Sequence, residues 1–281
     1  MDILRGCSLH KSDWEDTLFD MTARCAHRLT LLAPFVKYNV FERLLGVKAD
    51  SVEVRLLSRF SVPQFHRGVS DIAVFRRALA TDSVVRSLQR LHAKVYIFDD
   101  THAIVTSGNL TTAGLQSNVE YGVVLSDVEM VEEIVADSKA LFTADEVGII
   151  DMETVAEVEA ILEHAAPPTE SQLPDVQVQT LGDRQIIESG EIFDGDIDAI
   201  RHSLTGWKAS VFDVLTQIPA AEFNLEEVYE FVPDLSEQYP DNRHIHAKIR
   251  QQLQYLRKLD LVRFLGKGHY RKLWKQDYSS S

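Results

Sequence analysis

An imidazole and an ammonium stand at alternate positions, His92 and Lys94, at the start of the stretch LHAKVYIFDDTHAIVTSGNLTTAGLQSNVE, residues 91–120. A hydroxyl and a carboxamide, Ser107 and Asn109, stand two apart at its centre, and a carboxylate, Glu120, closes it. Alternate residues of a strand share a face. The pattern predicts strands over 91–98 and 103–109, joined by the polar turn Asp99-Asp100-Thr101-His102. One row of the first strand then carries His92, Lys94 and Tyr96, and the other Ala93, Val95 and Ile97. A hairpin of these strands brings imidazole, ammonium, hydroxyl and carboxamide around one point. Together they make a phosphate site with a nucleophile built in.

The flanking chain supplies alternating helices and strands. Apolar spacing predicts a helix from Trp14 to Ala26, capped by Ser12 or Asp13, and a buried strand from Arg28 to Val36. A short helix is expected over 40–45, a strand over 51–60, and a loop carrying Arg59, Phe65, His66 and Arg67. A helix over 70–79 and the segment 84–91 lead into the motif. A strand over 121–125 and a helix over 127–141 close the unit. This order predicts an α/β class, a mixed sheet flanked by helices.

The net charge of −14 argues at first against a nucleic-acid partner, but its distribution reverses the argument. Residues 242–276 hold ten Lys and Arg and one acid, Asp260, a local +9 that leaves −23 on the rest. That asymmetry describes a basic binding module on an acidic body. Residues 145–198 hold fifteen acids and a single base, Arg184. They predict one helix, over 153–164, stopped by Pro167 and Pro168, and then a solvated linker that competes, on a sharper reading, with DNA for the basic module. No apolar run approaches the roughly 20 residues that span a bilayer, and the N-terminus lacks a cationic flank followed by an apolar stretch. Cys7 and Cys25 have no metal-ligand spacing. A cytoplasmic protein with reduced thiols and no membrane partner is expected.

Beyond residue 204 the periodicity tightens. Helices are predicted over 207–218, over 225–239 with Asn224 as cap, and from about 240 to 258. In the last, Ile245, Ile249, Leu253 and Leu256 form one apolar stripe. Arg243, Arg250, Gln251, Gln254 and Lys258 are expected on the opposite face, where Arg suits guanine and Gln suits adenine. A hairpin over 261–274 turns at Gly266-Lys267-Gly268 and should set Lys267, Arg271, Lys272 and Lys275 against phosphates. Three helices and a basic hairpin are the plan of a small winged helix-turn-helix domain. A second His-x-Lys, His246 and Lys248, sits on a helix, where positions two apart diverge by about 200°, so it makes no second site.

His92-x-Lys94, four residues, Asp99, six residues, Thr106-Ser107-Gly108-Asn109 resembles the HxK(x)4D(x)6GSxN signature of the phospholipase D superfamily. Thr106 departs from it, standing where the family has Gly, and should crowd the turn slightly. Residues 239–274 resemble the C-terminal winged helix of methyl-directed restriction endonucleases. The resemblance implies a phospholipase D-like nuclease domain over 1–148, a helix and acidic linker over 149–203, and a winged-helix DNA-binding domain over 204–277. It implies phosphodiester hydrolysis through a phosphohistidine on His92, with Lys94, Asn109 and Ser107 cradling the phosphate. Glu120 would orient an imidazole, and Asp99 would support the architecture. Neither metal nor cofactor is required. One motif per chain implies a homodimer through the nuclease domain. A restriction-type DNA endonuclease acting on double-stranded DNA is the reading that joins the halves. A DNA-binding regulator with a nuclease-like dimerisation domain and a phospholipid phosphodiesterase are the alternatives.

Overall fold

The computed structural model describes residues 6–11, 14–165 and 197–274; the caps at Ser12 and Asp13, Lys275 and most of the acidic linker (166–196) lie outside them. In chain order the elements are β1 (Cys7–Lys11), α1 (Trp14–Arg24), β2 (Arg28–Leu32), α2 (Tyr38–Val47), β3 (Glu53–Ser58), α3 (Val62–His66) and α4 (Ile72–Ala80). Then come β4 (Val84–Ser87), β5 (Val95–Phe98), β6 (His102–Thr106), a π-helical turn (Ala113–Ser117), β7 (Tyr121–Leu125), α5 (Val128–Thr143), β8 (Gly148–Ile149) and α6 (Met152–His164). The C-terminal part holds α7 (Ile197–Ser203), α8 (Trp207–Gln217), β9 (Glu222–Asn224), α9 (Leu225–Tyr229), α10 (Val232–Gln238), α11 (Ile245–Lys258), β10 (Val262–Gly266) and β11 (His269–Lys272).

Contacts divide the chain into two units, residues 1–60 with 68–156, and 61–67 with 157–281. The first is an eight-stranded mixed sheet in the order β1-β7-β6-β5-β2-β3-β4-β8. β2, β3 and β4 run parallel, and every other pairing is antiparallel. Helices flank the sheet, as the alternation predicts. On one face Ile97, Ala103 and Leu125 pack with Val131 and Val135 of α5. On the other, the ring of Trp14 in α1 lies where a side chain on Gly122 would stand. β2 after Arg28 and the second half of β3 are buried, with Thr30 and Ser58 among the buried residues.

The second unit is a helical domain closed by the three-stranded sheet β10-β11-β9. Ile245, Ile249, Leu253 and Leu256 are all buried, so the stripe in α11 faces the core as expected. Phe212 meets Trp274 at 5.1 Å, and Phe223 stacks on Tyr270 at 5.5 Å. Asn224 forms a full capping box with Glu227, an arrangement worth about 1 kcal/mol. The helix expected over 225–239 is two, because Pro233 starts α10 in its first turn. The loop expected at 61–67 contains the short helix α3, where Ser61 caps Gln64 and Pro63 fits the first turn. In the second unit Ser61 donates to Asp260 at 2.8 Å, and the Val62 N–H to the Leu259 carbonyl at 3.1 Å. The strands β1, β8 and β9 and the helix α7 have no counterpart in the sequence reading.

Candidate active site

β5 begins at Val95, so His92 and Lys94 precede the strand. The ladder still reaches Lys94, whose carbonyl accepts the Thr106 N–H at 3.1 Å. That register aligns Lys94 with Thr106, not with Ser107. The Thr106 side chain is accommodated: its partner in β7 is Gly122, and its hydroxyl donates to the Tyr121 carbonyl at 3.3 Å and accepts the Gly108 N–H at 3.2 Å. β6 ends at Thr106, and the chain leaves strand geometry there. Ser107 then turns back to β7. Its N–H bonds the Tyr121 carbonyl at 2.9 Å, and its hydroxyl donates to Glu120 Oε2.

Glu120 also accepts from Asn118 at 3.1 Å, so here its carboxylate holds Ser107 and Asn118 and not an imidazole. The His92 ring is exposed and has no hydrogen-bond partner among the described residues. Lys94 is only 9% exposed, and its ammonium donates to the His92 carbonyl at 2.9 Å. Burial lowers the pKa of Lys94, the charge of Arg59 lowers it further, and Glu120 opposes both. The Lys94 charge, then burial, then Arg59 hold His92 below the ordinary histidine range. That bias favours the free base, the state a nucleophile needs.

Asn109 is fixed from behind. The Gly114 backbone packs so closely that a side chain on Gly108 would strike its carbonyl, and one on Gly114 would strike the Asn109 backbone. Tyr96, fully buried, donates to the Gly108 carbonyl at 2.8 Å. Burial first and Glu120 second raise its pKa, so it stays a neutral donor. The Asn109 Oδ1 is buried and has no partner. A buried polar atom left unpaired costs about 1–3 kcal/mol, a cost that a bound group can relieve. The structure thus brings His92, Lys94, Ser107 and Glu120 into one linked cluster, while the Asn109 carboxamide makes no hydrogen bond to them.

Asp99 has a different set of contacts. Its carboxylate takes the N–H groups of Ala26, His27 and Arg28 at 2.7, 2.7 and 2.9 Å and the Cys25 thiol at 3.1 Å. Burial pushes its pKa up, but those donors outweigh it and hold the carboxyl at about 2. Its neighbour Cys25 is pushed up to about 11 by burial and by Asp99.

Arg59 and Tyr96 are the site residues that the sequence reading left without a role. Tyr96 stood in the row with His92 and Lys94, which was a usable signal. Arg59, 33 positions upstream of His92, carried none.

In the second unit α11 starts at Ile245, so Arg243 lies in the turn before the helix. Arg250, Gln251 and Gln254 are exposed on α11, and Lys258 is half-buried. Arg250 already donates to the Tyr229 hydroxyl at 2.9 Å, and Gln251 accepts weakly from Gln252. Lys267 is exposed at the hairpin tip, and Arg271 is exposed but bonded to Glu222 of β9 at 3.0 Å. Lys272 corrects the sequence reading. It is 3% exposed, and its ammonium donates inward to the Ile218 carbonyl. In β11 the side chains alternate, so Arg271 faces water and Lys272 the core. Burial lowers the Lys272 pKa to about 8, with Glu227 opposing. It is not a wing charge.

Residues 18–142 match the family described as Cardiolipin synthase, PLD-like domain, and residues 203–272 match the Dam-replacing HTH domain. The chain joins a phospholipase D-like domain to a Dam-replacing HTH domain. Similar solved structures include a phospholipase D family member, Nuc from Salmonella typhimurium, at 16% identity and TM-score 0.44, covering 51% of this chain and 98% of that one. NucT from Helicobacter pylori is 14% identical at TM-score 0.38, with 51% and 98% covered. Phosphatidylserine synthase from Haemophilus influenzae is 12% identical at TM-score 0.45, with 57% and 42% covered. The two matched domains together support a nuclease or phosphodiesterase. No helix among the described residues is long and apolar enough to cross a membrane.

Proposed function

We propose that the protein is a DNA endonuclease of restriction type, with a nuclease domain over 1–148 and a DNA-binding winged helix over 204–277. The observation that carries this reading is the exposed His92, biased towards its free base beside the buried Lys94, in a chain that also holds an HTH domain. In the first step His92 attacks phosphorus, a P–N bond forms, and the P–O bond to the leaving group breaks. The second His92 must carry the one proton shared by the pair in this step, and it gives that proton to the departing oxygen. Water, deprotonated by that second histidine, then attacks phosphorus and breaks the P–N bond. Lys94, with the Asn109 carboxamide reoriented onto the phosphate, stabilises the oxygens on which charge accumulates. Ser107 and Glu120 hold the rim of this cradle.

Each chain supplies one such histidine, so the site is completed by a second copy of the nuclease domain. Every group in the sequence of steps is an organic side chain, which is why cleavage is expected without a metal ion. Residues 243–254 and the hairpin tip at Lys267 would meet double-stranded DNA, with exposed Gln and Arg at base edges and Lys267 at a phosphate. The deciding experiment is digestion of plasmid DNA in excess EDTA by wild type and by His92→Ala. Cleavage by wild type alone is expected. Wild-type cleavage that is lost in EDTA and restored by magnesium would overturn the mechanism.

A further inference from the structure

Arg59 follows β3 directly, and its neighbourhood is the approach to His92. The Leu88 N–H bonds the Ser58 carbonyl at 3.0 Å, and the Gln89 side chain donates to the Phe60 carbonyl at 2.6 Å. The Leu91 N–H bonds the Leu88 carbonyl at 3.0 Å, and Leu91 itself is buried. The last carbonyl before His92 is that of Leu91. It accepts the Arg59 Nε–H at 2.7 Å. The guanidinium is braced in turn, lying over the Phe35 ring at 5.7 Å, while the Arg59 N–H bonds the Pro34 carbonyl. A planar donor on a braced stem loses little freedom when it makes such a bond.

We propose that Arg59 is the positioning residue of the His92 site: it clamps the peptide that carries His92 and lends its charge to the phosphate subsite built on Lys94. The proposal rests on the reading of His92 as nucleophile. The charged groups acting on His92 are Lys94 and Arg59, and those acting on Lys94 are Arg59 and Glu120. Lys94 and Arg59 would both act on the charge of a phosphodiester bound at this site. Arg59 also helps to hold His92 unprotonated, and Lys94 contributes the larger share.

The two contributions separate by substitution. Arg59→Lys keeps the charge but cannot reproduce the Nε–H geometry. Its kcat should fall by at least about tenfold, which corresponds to ~1.4 kcal/mol on the barrier, while the acid limb of its pH–rate profile stays where wild type has it. Arg59→Gln removes the charge. With Lys94 left as the main influence, His92 titrates higher, so the acid limb moves to higher pH and KM for DNA rises. Rates are measured on plasmid DNA and on bis(p-nitrophenyl) phosphate, and folding by thermal melting. An Arg59→Lys enzyme with wild-type kcat overturns the clamp. An Arg59→Gln enzyme with an unmoved acid limb overturns the electrostatic part. Should Arg59→Gln not fold, the kcat of Arg59→Lys decides the proposal. His92→Ala serves as the separate control: if it cleaves as wild type does, the nucleophile assignment falls. Arg59 is then judged on the NMR titration of the His92 ring in wild type and Arg59→Gln, where equal midpoints overturn it as well.

Discussion

Single residues in this protein do work that their type alone does not announce. Asp99 belongs to the catalytic signature, yet its carboxylate is spent on three backbone N–H groups and a thiol at the start of β2. Its folded pKa of about 2 lies below the unfolded value near 3.9. The stability it contributes, roughly 2 kcal/mol, is therefore complete above about pH 4 and lost as pH falls through 2. Asp99→Asn should lower Tm at pH 7 by about 4–8 °C, at ~2–4 °C per kcal/mol, and the gap from wild type should close towards pH 2. Equal Tm values at pH 7 would remove the structural role. Lys272 is the reverse case, a base in a basic hairpin that faces the core. On a full-length His92→Ala background, Lys272→Met should leave the salt dependence of DNA binding unchanged, whereas Lys267→Ala should flatten its slope by about one. A flattened slope for Lys272→Met would show that the ammonium turns outward on DNA.

The elements set which groups can meet. Val95, Val105, Val123 and Leu9 stand in register across β5, β6, β7 and β1. The inner three pack partly under the core of α5, while Leu9, on the edge strand, is 66% exposed, and Tyr121 in the next row is 53% exposed. By alternation this row lies on the sheet face opposite Lys94, whose side chain shares the other face with Tyr96, so the exposed Leu9 does not mark the half-site. The proposed dimer is tested directly, by sedimentation of the cleaving protein. A wild-type protein that is active as a monomer would sink the shared site. On α11 the exposed side of the helix carries Arg250, Gln251 and Gln254, the proposed readers. Gln251→Ala should relax sequence preference at one base pair by about 1–3 kcal/mol, read by competition binding with substituted duplexes. Unchanged discrimination in both Gln251→Ala and Arg250→Ala would remove α11 from the base-reading surface.

At the scale of the whole molecule, a basic module is carried on an acidic chain, +9 over residues 242–276 against −23 elsewhere. In the proposed reading DNA contact is confined to the module and the His92 site, because an acidic surface repels phosphate. Cleavage should consequently be far more salt-sensitive on plasmid DNA, where the module must bind, than on bis(p-nitrophenyl) phosphate, which needs the His92 cluster alone. Parallel loss of both activities between 50 and 500 mM salt would dissociate the module from cleavage.

The spacing from His92 to Asn109, the stripe in α11 and the charge asymmetry were fully legible, because each depends on a local period or a count. The mixed sheet and the winged-helix plan followed from those periods. Other features were decided by tertiary structure. The edge strands β1 and β8 are too short or too polar to signal themselves, and exist because β7 and β4 offer unpaired edges. The inward turn of Lys272 depends on which face of a two-residue alternation meets the core, and its charge obscured that choice. Glu120 bonds to Ser107 because β6 ends one residue before the serine. Arg59 reaches Leu91 because β3 pairs with β4, which ends four residues before Leu91. Sequence separation hides such a contact, and only the order of the strands reveals it.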